Sequence, residues 1–218
     1  MIEYLLFDLD GTLTDPKEGI TKCFQCALCA AGIAVPPADE LTWVIGPPLM
    51  DSFMQGYNFS KEQAEIATAK YRERYESIGW QENIPYKGIK EALETLKEAG
   101  FILAVATSKP EGMAEKILEH FGLADYFKVI GGASRDLSRA KKSDVLLYTL
   151  DRLGLKEWFK VLMIGDRKYD VEGAKQLKIP CLGVLYGYGN LEELTKAGAV
   201  ATAGSIQEMT EYCLNLKK

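Results

Sequence analysis

Histidine is almost absent: the 218 residues contain one, His120. Histidine-based triads and phosphohistidine chemistry therefore have almost no place here, and acid–base work falls to carboxylates. His120 itself lies beside the apolar stripe Ala114, Ile117, Leu118 and Phe121, which makes it a surface residue. No apolar run approaches the roughly 20 residues needed to cross a membrane. Basic excess is missing as well. The net charge of −5 argues against a nucleic-acid-binding surface and for a soluble chain with local anion attraction only. No basic leader or cleavage signal precedes the first apolar stretch, so a cytoplasmic location is expected. Cysteines are few and scattered. Three stand as Cys23, Cys26 and Cys29, with no fourth ligand and no second CxxC for a zinc or iron–sulfur site. On a helix this spacing places them on one broad face, where they are expected to pack as small hydrophobes. Repeats and low-complexity segments are lacking too. What remains is ordinary globular composition, 47% hydrophobic and 26% charged, sufficient for one large or two modest domains.

The most informative stretch runs from Tyr4 to Leu13, YLLFDLDGTL. A short apolar run bounded by polar residues reads as a buried strand. It ends in two carboxylates, Asp8 and Asp10, whose i, i+2 spacing directs both to one side. Gly11 then permits a sharp turn that turns backbone N–H groups toward the same place. Asp-Gly is also a common turn dipeptide. A mere turn, however, has no need of two mutually repelling acids beside free amides. A hard divalent cation satisfies the acids, an anion satisfies the amides, and an aspartate can accept a phosphoryl group.

Beyond Leu13 the pattern turns helical for about seventy residues. Ile20 to Ala31 ends at Gly32, and Ser60-Lys61-Glu62-Gln63 reads as an N-cap opening a long helix through Tyr75. From Tyr86 a β/α rhythm takes over. Strands are expected at Phe101–Ala106, Val129–Gly132, Val161–Ile164 and Cys181–Leu185, separated by helices and followed by one final helix to the C-terminus. Near-continuous apolar strands alternating with helices imply a parallel sheet covered on both faces. The helical block, roughly residues 15–84, interrupts that alternation and reads as a separate lid. Residues 1–14 and 85–218 form the core.

In open α/β sheets ligands bind beyond the carboxyl ends of the strands. Those ends carry Asp8 and Asp10, then Thr107 and Ser108, then Asp166 with Asp170 four residues on. The loop 135–142 adds Arg135, Arg139, Lys141 and Lys142. Helix capping before Glu111 is the structural reading of Thr107 and Ser108; a solvated helix start is that of Lys142. Over nearly the whole chain, and in the same order, these groups resemble the motifs of the haloacid dehalogenase-like hydrolases. Asp8-x-Asp10-Gly11-Thr12 is similar to the first motif, Thr107-Ser108 to the second, Lys142 to the third, and Gly165-Asp166-x-x-x-Asp170 to the fourth. The helical insert resembles a C1-type cap. Many relatives carry the third-motif lysine in a Lys-Pro pair, whereas this chain has Lys141-Lys142-Ser143; spacing to the next helix selects Lys142, with Lys141 the alternative.

The resemblance implies an α/β fold, a Rossmann-like parallel core with an inserted all-helical cap, and a magnesium-dependent phosphomonoester phosphatase. It implies Asp8 as nucleophile and Asp10 as general acid–base. Phosphate would be bound by Gly11, Thr107, Ser108 and Lys142. Magnesium (Mg2+) would be held by Asp8, Asp166 and the Asp10 carbonyl, with Asp170 in support. A phosphosugar mutase, a carbon–halogen hydrolase and a non-catalytic binding protein on the same scaffold are the competing readings. The expected partner is a small phosphorylated metabolite, a 5′-nucleotide or phosphoglycolate, rather than a nucleic acid polymer or a membrane. The apolar segment 41–50, with Trp43, Pro47 and Pro48, and Phe53 beyond it, favours a nucleotide. Lys17 and Lys22, either of which could meet a carboxylate, speak for phosphoglycolate.

Overall fold

A computed structural model describes residues 1–134, 136 and 138–217. Its strands are β1 (Tyr4–Phe7), β2 (Thr14–Asp15), β3 (Ile84–Pro85), β4 (Ile102–Pro110), β5 (Val129–Ala133), β6 (Val161–Gly165), β7 (Cys181–Val184) and β8 (Ala201–Ala203). Six form one sheet in the order β5-β4-β1-β6-β7-β8, and β2 and β3 form a two-stranded sheet. Every described ladder of the large sheet is parallel, with Leu6 opposite both Ala104 and Met163. The strand order reverses direction at β1. This is the switch point where an open α/β sheet leaves a crevice at its carboxyl edge.

By backbone contacts the chain divides into two compact units, Met1–Thr14 with Pro85–Lys218, and Asp15–Ile84. The smaller unit contains α1 (Lys17–Ala30), a 3-10 turn (Ala38–Val44), α2 (Leu49–Tyr57) and α3 (Lys61–Arg74), followed by a π-turn (Tyr75–Gly79). At the start of α3, Ser60 Oγ accepts from Gln63 N–H while Gln63 Oε1 accepts from Ser60 N–H, a complete capping box. The core of this unit is aromatic. Phe24 stacks on Phe53 with centroids 4.3 Å apart, and Phe53 on Phe59 at 5.8 Å. Trp43 is 40% exposed, yet its ring meets Phe24 edge-on and lies where a Cβ on Gly56 would stand. Both Trp43 and Phe53 thus pack the unit's own core.

The cysteine expectation needs correction: Cys23 is buried, but Cys26 and Cys29 are exposed. Each i→i+3 step along a helix drifts by about 60°, so two steps carry the last thiol a third of a turn away from the core.

In the larger unit, helices α4 (Ile89–Glu98), α5 (Glu111–His120), α6 (Lys142–Arg152), α7 (Lys168–Gln176), α8 (Leu191–Ala197) and α9 (Ile206–Asn215) cover the two faces of the sheet. Leu6, Ala104, Val145, Leu146, Met163 and Val171 belong to one buried cluster. The single C-terminal helix expected from sequence is in fact α8, β8 and α9. Gly198, at φ +105°, ends α8, and Ala201-Thr202-Ala203 then pairs with β7. A three-residue edge strand of small side chains has too little apolar periodicity to register. Strand β4 also outruns its expected end at Ala106, so Pro110 rather than Thr107 or Ser108 caps α5.

Phe24 is fully buried at the centre of the aromatic cluster. Phe24→Ala is expected to destabilise the helical unit by about 3–5 kcal/mol, as phenylalanine deletions in close-packed cores do; urea unfolding monitored by tryptophan fluorescence measures it.

Candidate active site

The chain leaves β1 through a tight turn whose hub is one carbonyl. Leu9 C=O accepts from the N–H groups of Thr12, Leu13 and Thr14, while Gly11 N–H donates to Thr14 C=O at 2.8 Å. Gly11 has φ +82°, and a Cβ there would stand 2.2 Å from an Asp166 carboxylate oxygen. Glycine is therefore required twice over, for the turn and for the approach of Asp166. Gly187 makes a matching approach from the β7–α8 loop. Its Cβ would lie 2.3 Å from the Gly11 carbonyl oxygen and 2.4 Å from Asp166 Cβ.

At the bottom of this crevice Asp8, Asp166 and Asp170 each offer a carboxylate oxygen within 4.8 Å of the others, all three residues buried. Asp8 Oδ1 accepts from Leu9 N–H at 2.8 Å and pairs with Lys142 Nζ at 2.9 Å. Asp170 Oδ1 pairs with the same ammonium at 2.7 Å, and Lys142 also donates to Ala106 C=O. Asp166 Oδ2 accepts from Tyr188 N–H at 2.8 Å; its Oδ1 lies 3.4 Å from the Thr12 hydroxyl. Asp170 Oδ2 accepts from Arg167 N–H at the start of α7. Lys142 is the first residue of α6 and reaches inward across Gly173, whereas Lys141 is exposed.

Asp10 is held apart from that cluster. Its Oδ2 pairs with Lys109 Nζ at 2.7 Å, and its buried Oδ1 has no hydrogen-bond partner. Thr107 is buried and its hydroxyl oxygen accepts from Lys109 N–H; Ser108 is half-buried. Arg135 lies outside the described residues. Arg139 turns away from the crevice, pairing with Glu111 and stacking its guanidinium 3.6 Å over the Tyr148 ring.

Sequence reasoning missed Lys109 and the Tyr188 amide. The signal for Lys109 was present, since it follows Thr107 by two residues and a strand presents i and i+2 on one side. Nothing local marks Tyr188, whose amide comes from a loop 22 residues beyond its acceptor.

The electrostatics follow from burial. Desolvation raises Asp166 well above the usual carboxylate range, and repulsion from Asp170 and Asp8 adds to it. Asp170 is pushed up to about 6 by burial, with Lys142 opposing. Burial alone would lower the Lys142 ammonium, but Asp170 and Asp8 outweigh it and hold the group above its ordinary value. Asp10 is raised by burial, with Lys109 pulling the other way. Three carboxylates against one ammonium leave a formal charge of −2 in a buried place, formed by hard oxygen donors. A divalent cation such as Mg2+ fits both the charge and the donor type.

Comparison with known proteins agrees with this geometry. Residues 5–184 match the family model described as haloacid dehalogenase-like hydrolase. The chain is similar to a 5′-nucleotidase of Pseudomonas aeruginosa, 43% identical over 97% of this chain and 91% of that protein. It is also similar to the tyrosine-protein kinase PtkA of Mycobacterium tuberculosis, 42% identical over 96% of this chain and 72% of that one. A phosphoglycolate phosphatase of Vibrio parahaemolyticus is 30% identical over 96% and 95%. Among solved structures, a predicted phosphatase from Clostridium acetobutylicum superposes with a TM-score of 0.95, at 45% identity and 99% coverage of both chains.

A cation bound here must displace protons that burial favours on Asp166 and Asp170. Because both carboxyls are raised, Mg2+ affinity is expected to fall as the pH is lowered, with proton release on binding. Calorimetric titration at pH 5.0 and 7.5 in buffers of different ionisation enthalpy measures both.

Proposed function

The chain belongs to the haloacid dehalogenase-like hydrolases, and on that premise we propose that it is a magnesium-dependent phosphomonoester phosphatase acting through an aspartyl-phosphate. The observation that carries this reading is the arrangement of Asp8 inside the Asp166/Asp170/Lys142 cluster, with Asp10 two residues on in a separate pairing.

A carboxylate oxygen of Asp8 attacks phosphorus in line while the bond to the leaving alkoxide breaks. Asp10 protonates that alkoxide. Its raised proton affinity suits a general acid, and Oδ1 is the oxygen not already engaged. Water then attacks the aspartyl-phosphate, and Asp10 takes the proton, returning Asp8 as carboxylate. Lys142, the Thr107 hydroxyl and the amides of Gly11 and Ser108 hold the phosphoryl oxygens as charge spreads over them. Asp8, Asp166 and the Asp10 carbonyl would hold Mg2+, with Asp170 in support; when bound, the ion supplies charge neutralisation between the nucleophile and the phosphate dianion.

The helical unit would act as the lid that sets the substrate, and its chemistry favours a 5′-nucleotide over phosphoglycolate. Lys17 is paired with Asp39, Lys22 with Glu18 and Glu82, and Arg74 with Glu82 in two hydrogen bonds of 2.7 and 3.0 Å. These cations already have carboxylate partners, so a substrate carboxylate would have to displace them. The 5′-nucleotidase relative at 43% identity points the same way. Phosphoryl transfer to a protein tyrosine is the second reading, resting on the PtkA likeness alone.

Asp8→Asn should keep the fold and abolish Mg2+-dependent phosphate release from p-nitrophenyl phosphate. Lys142→Ala should lower kcat/KM by roughly 100-fold or more, and Lys141→Ala by far less. Robust turnover by folded Asp8→Asn would remove the nucleophile assignment. Incubation with labelled ATP, with counting of label on protein against label released, separates hydrolysis from tyrosine transfer.

With Mg2+ present, kcat/KM for several 5′-nucleotides is expected to exceed that for phosphoglycolate. A tenfold preference for phosphoglycolate, about 1.4 kcal/mol in the transition state, would reject the substrate class and leave the phosphatase reading intact.

A further inference from the structure

Three successive carbonyls of the turn after β1 face residues from outside it. Gly187 stands so close to the Gly11 carbonyl oxygen that a Cβ would lie 2.3 Å from it. Tyr186, half-buried, donates its hydroxyl to the next carbonyl, Thr12 C=O, at 3.1 Å. The third, Leu13 C=O, accepts from Tyr86 N–H at 3.1 Å. The rings of Tyr86 and Tyr186 then meet edge-on, with centroids 5.1 Å apart and planes at 71°. Two of the residues that hold the turn thus also hold each other.

The Thr12–Leu13 peptide unit is fixed at both ends. Its N–H donates to Leu9 C=O at 2.9 Å, and its C=O accepts from Tyr186. Among the described residues nothing else donates to that carbonyl. A planar unit anchored on both sides cannot rotate without breaking one of its bonds. The same loop reaches Asp166 as well. Tyr188 N–H donates to Asp166 Oδ2 at 2.8 Å, and Gly189 passes where a Cβ would stand 1.9 Å from the Asp166 carbonyl oxygen. Tyr186 therefore ties the loop that sets Asp166 to the turn that carries Asp10.

A tyrosine in such a place commonly finds some hydrogen-bond partner, and bridging two loops for stability is the simpler role. Two observations go further. The bond is made to the peptide unit just beyond Gly11, and the ring is steadied by Tyr86, whose own amide secures the following carbonyl. A bridge for stability requires neither the adjacency nor the second anchor.

We infer that Tyr186 is a positioning residue: its hydroxyl fixes the turn that carries Asp10, so that this carboxyl keeps its place relative to Asp8 during phosphoryl transfer. The effect on turnover rests on the phosphatase reading; the hold on the turn does not.

The test compares Tyr186→Phe, which keeps the ring against Tyr86, with Tyr148→Phe, which removes a hydroxyl bound to Glu111 at 3.2 Å away from the crevice. Each variant loses one hydrogen bond, and each is expected to lower Tm by about 2–4 °C. Amide hydrogen exchange is measured with EDTA present. Tyr186→Phe should speed exchange at Thr12, Leu13 and Thr14 by about tenfold or more beyond any change at Leu103 in β4, and Tyr148→Phe should not. With saturating Mg2+ and p-nitrophenyl phosphate, Tyr186→Phe should lower kcat by about tenfold or more while KM moves less than about threefold. Tyr148→Phe should leave both unchanged. Unaltered exchange at the turn, or exchange that quickens equally at Leu103, would overturn the hold on the turn. A normal kcat in Tyr186→Phe, beside an active wild type, would overturn the positioning role. No phosphate release from the wild type would instead remove the phosphatase reading, leaving exchange to decide whether Tyr186 holds the turn.

Discussion

Three carboxylates and one ammonium share a water-poor space at the carboxyl edge of the sheet, and the surrounding structure answers to the cost of placing them there. A buried carboxylate without partners would neutralise by taking up a proton rather than remain charged. Asp8, Asp166 and Asp170 are each given hydrogen bonds: Leu9 N–H on the first, Tyr188 N–H on the second, Arg167 N–H on the third. Lys142 ties two of them together. Charge still remains in excess. That excess is of the sign and donor type that a divalent cation would offset.

Such close convergence demands backbone without side chains. Gly11 and Gly187 bring two loops against Asp166 from opposite directions, and either Cβ would overlap its neighbours by more than an ångström relative to ordinary contact. The parallel sheet makes this possible. Strands β1 and β6 are adjacent and in register, so Asp8 and Asp166 emerge side by side. Strand β4, on the other flank of β1, runs on past its ladder to deliver Lys109 to Asp10. Two pairings result, one around Asp8 and one around Asp10. The two aspartates, only two residues apart, thereby keep different ammonium partners.

The helical unit is organised by a different force. Its centre is a set of stacked and edge-on rings, Phe24, Phe53, Phe59, Trp43 and Tyr57, which bury large area for few residues. Its charges are gathered into pairs, Glu82 accepting from both Arg74 and Lys22. The Lys22 end is exposed and contributes little to stability, whereas the Arg74–Glu82 pair is half-buried and bidentate. On the proposed function their consequence would be selectivity, because cations with carboxylate partners are poor receptors for another carboxylate.

The α/β class and the positions of the acids could be read from the chain because both are local: buried parallel strands are short apolar runs, and the residues just past them must stand at one edge. Asp8, Asp10, Asp166 and Asp170 were visible on that ground, and Lys142 by its place at a helix start. What the chain could not show is set by distances between strands. The order β5-β4-β1-β6-β7-β8, the Lys109–Asp10 pair and the Tyr188 amide on Asp166 arise only when the sheet closes, since no local pattern encodes which residues will be neighbours. Cys26 and Cys29 were misread for the same reason: helical spacing gives an angle, but only the packed neighbours of α1 decide which angle faces inward. Sequence alone determined the kinds of group available and the edge at which they gather. Tertiary packing decided which charge faces which, because Coulomb energy and desolvation depend on separations that the chain acquires only on folding.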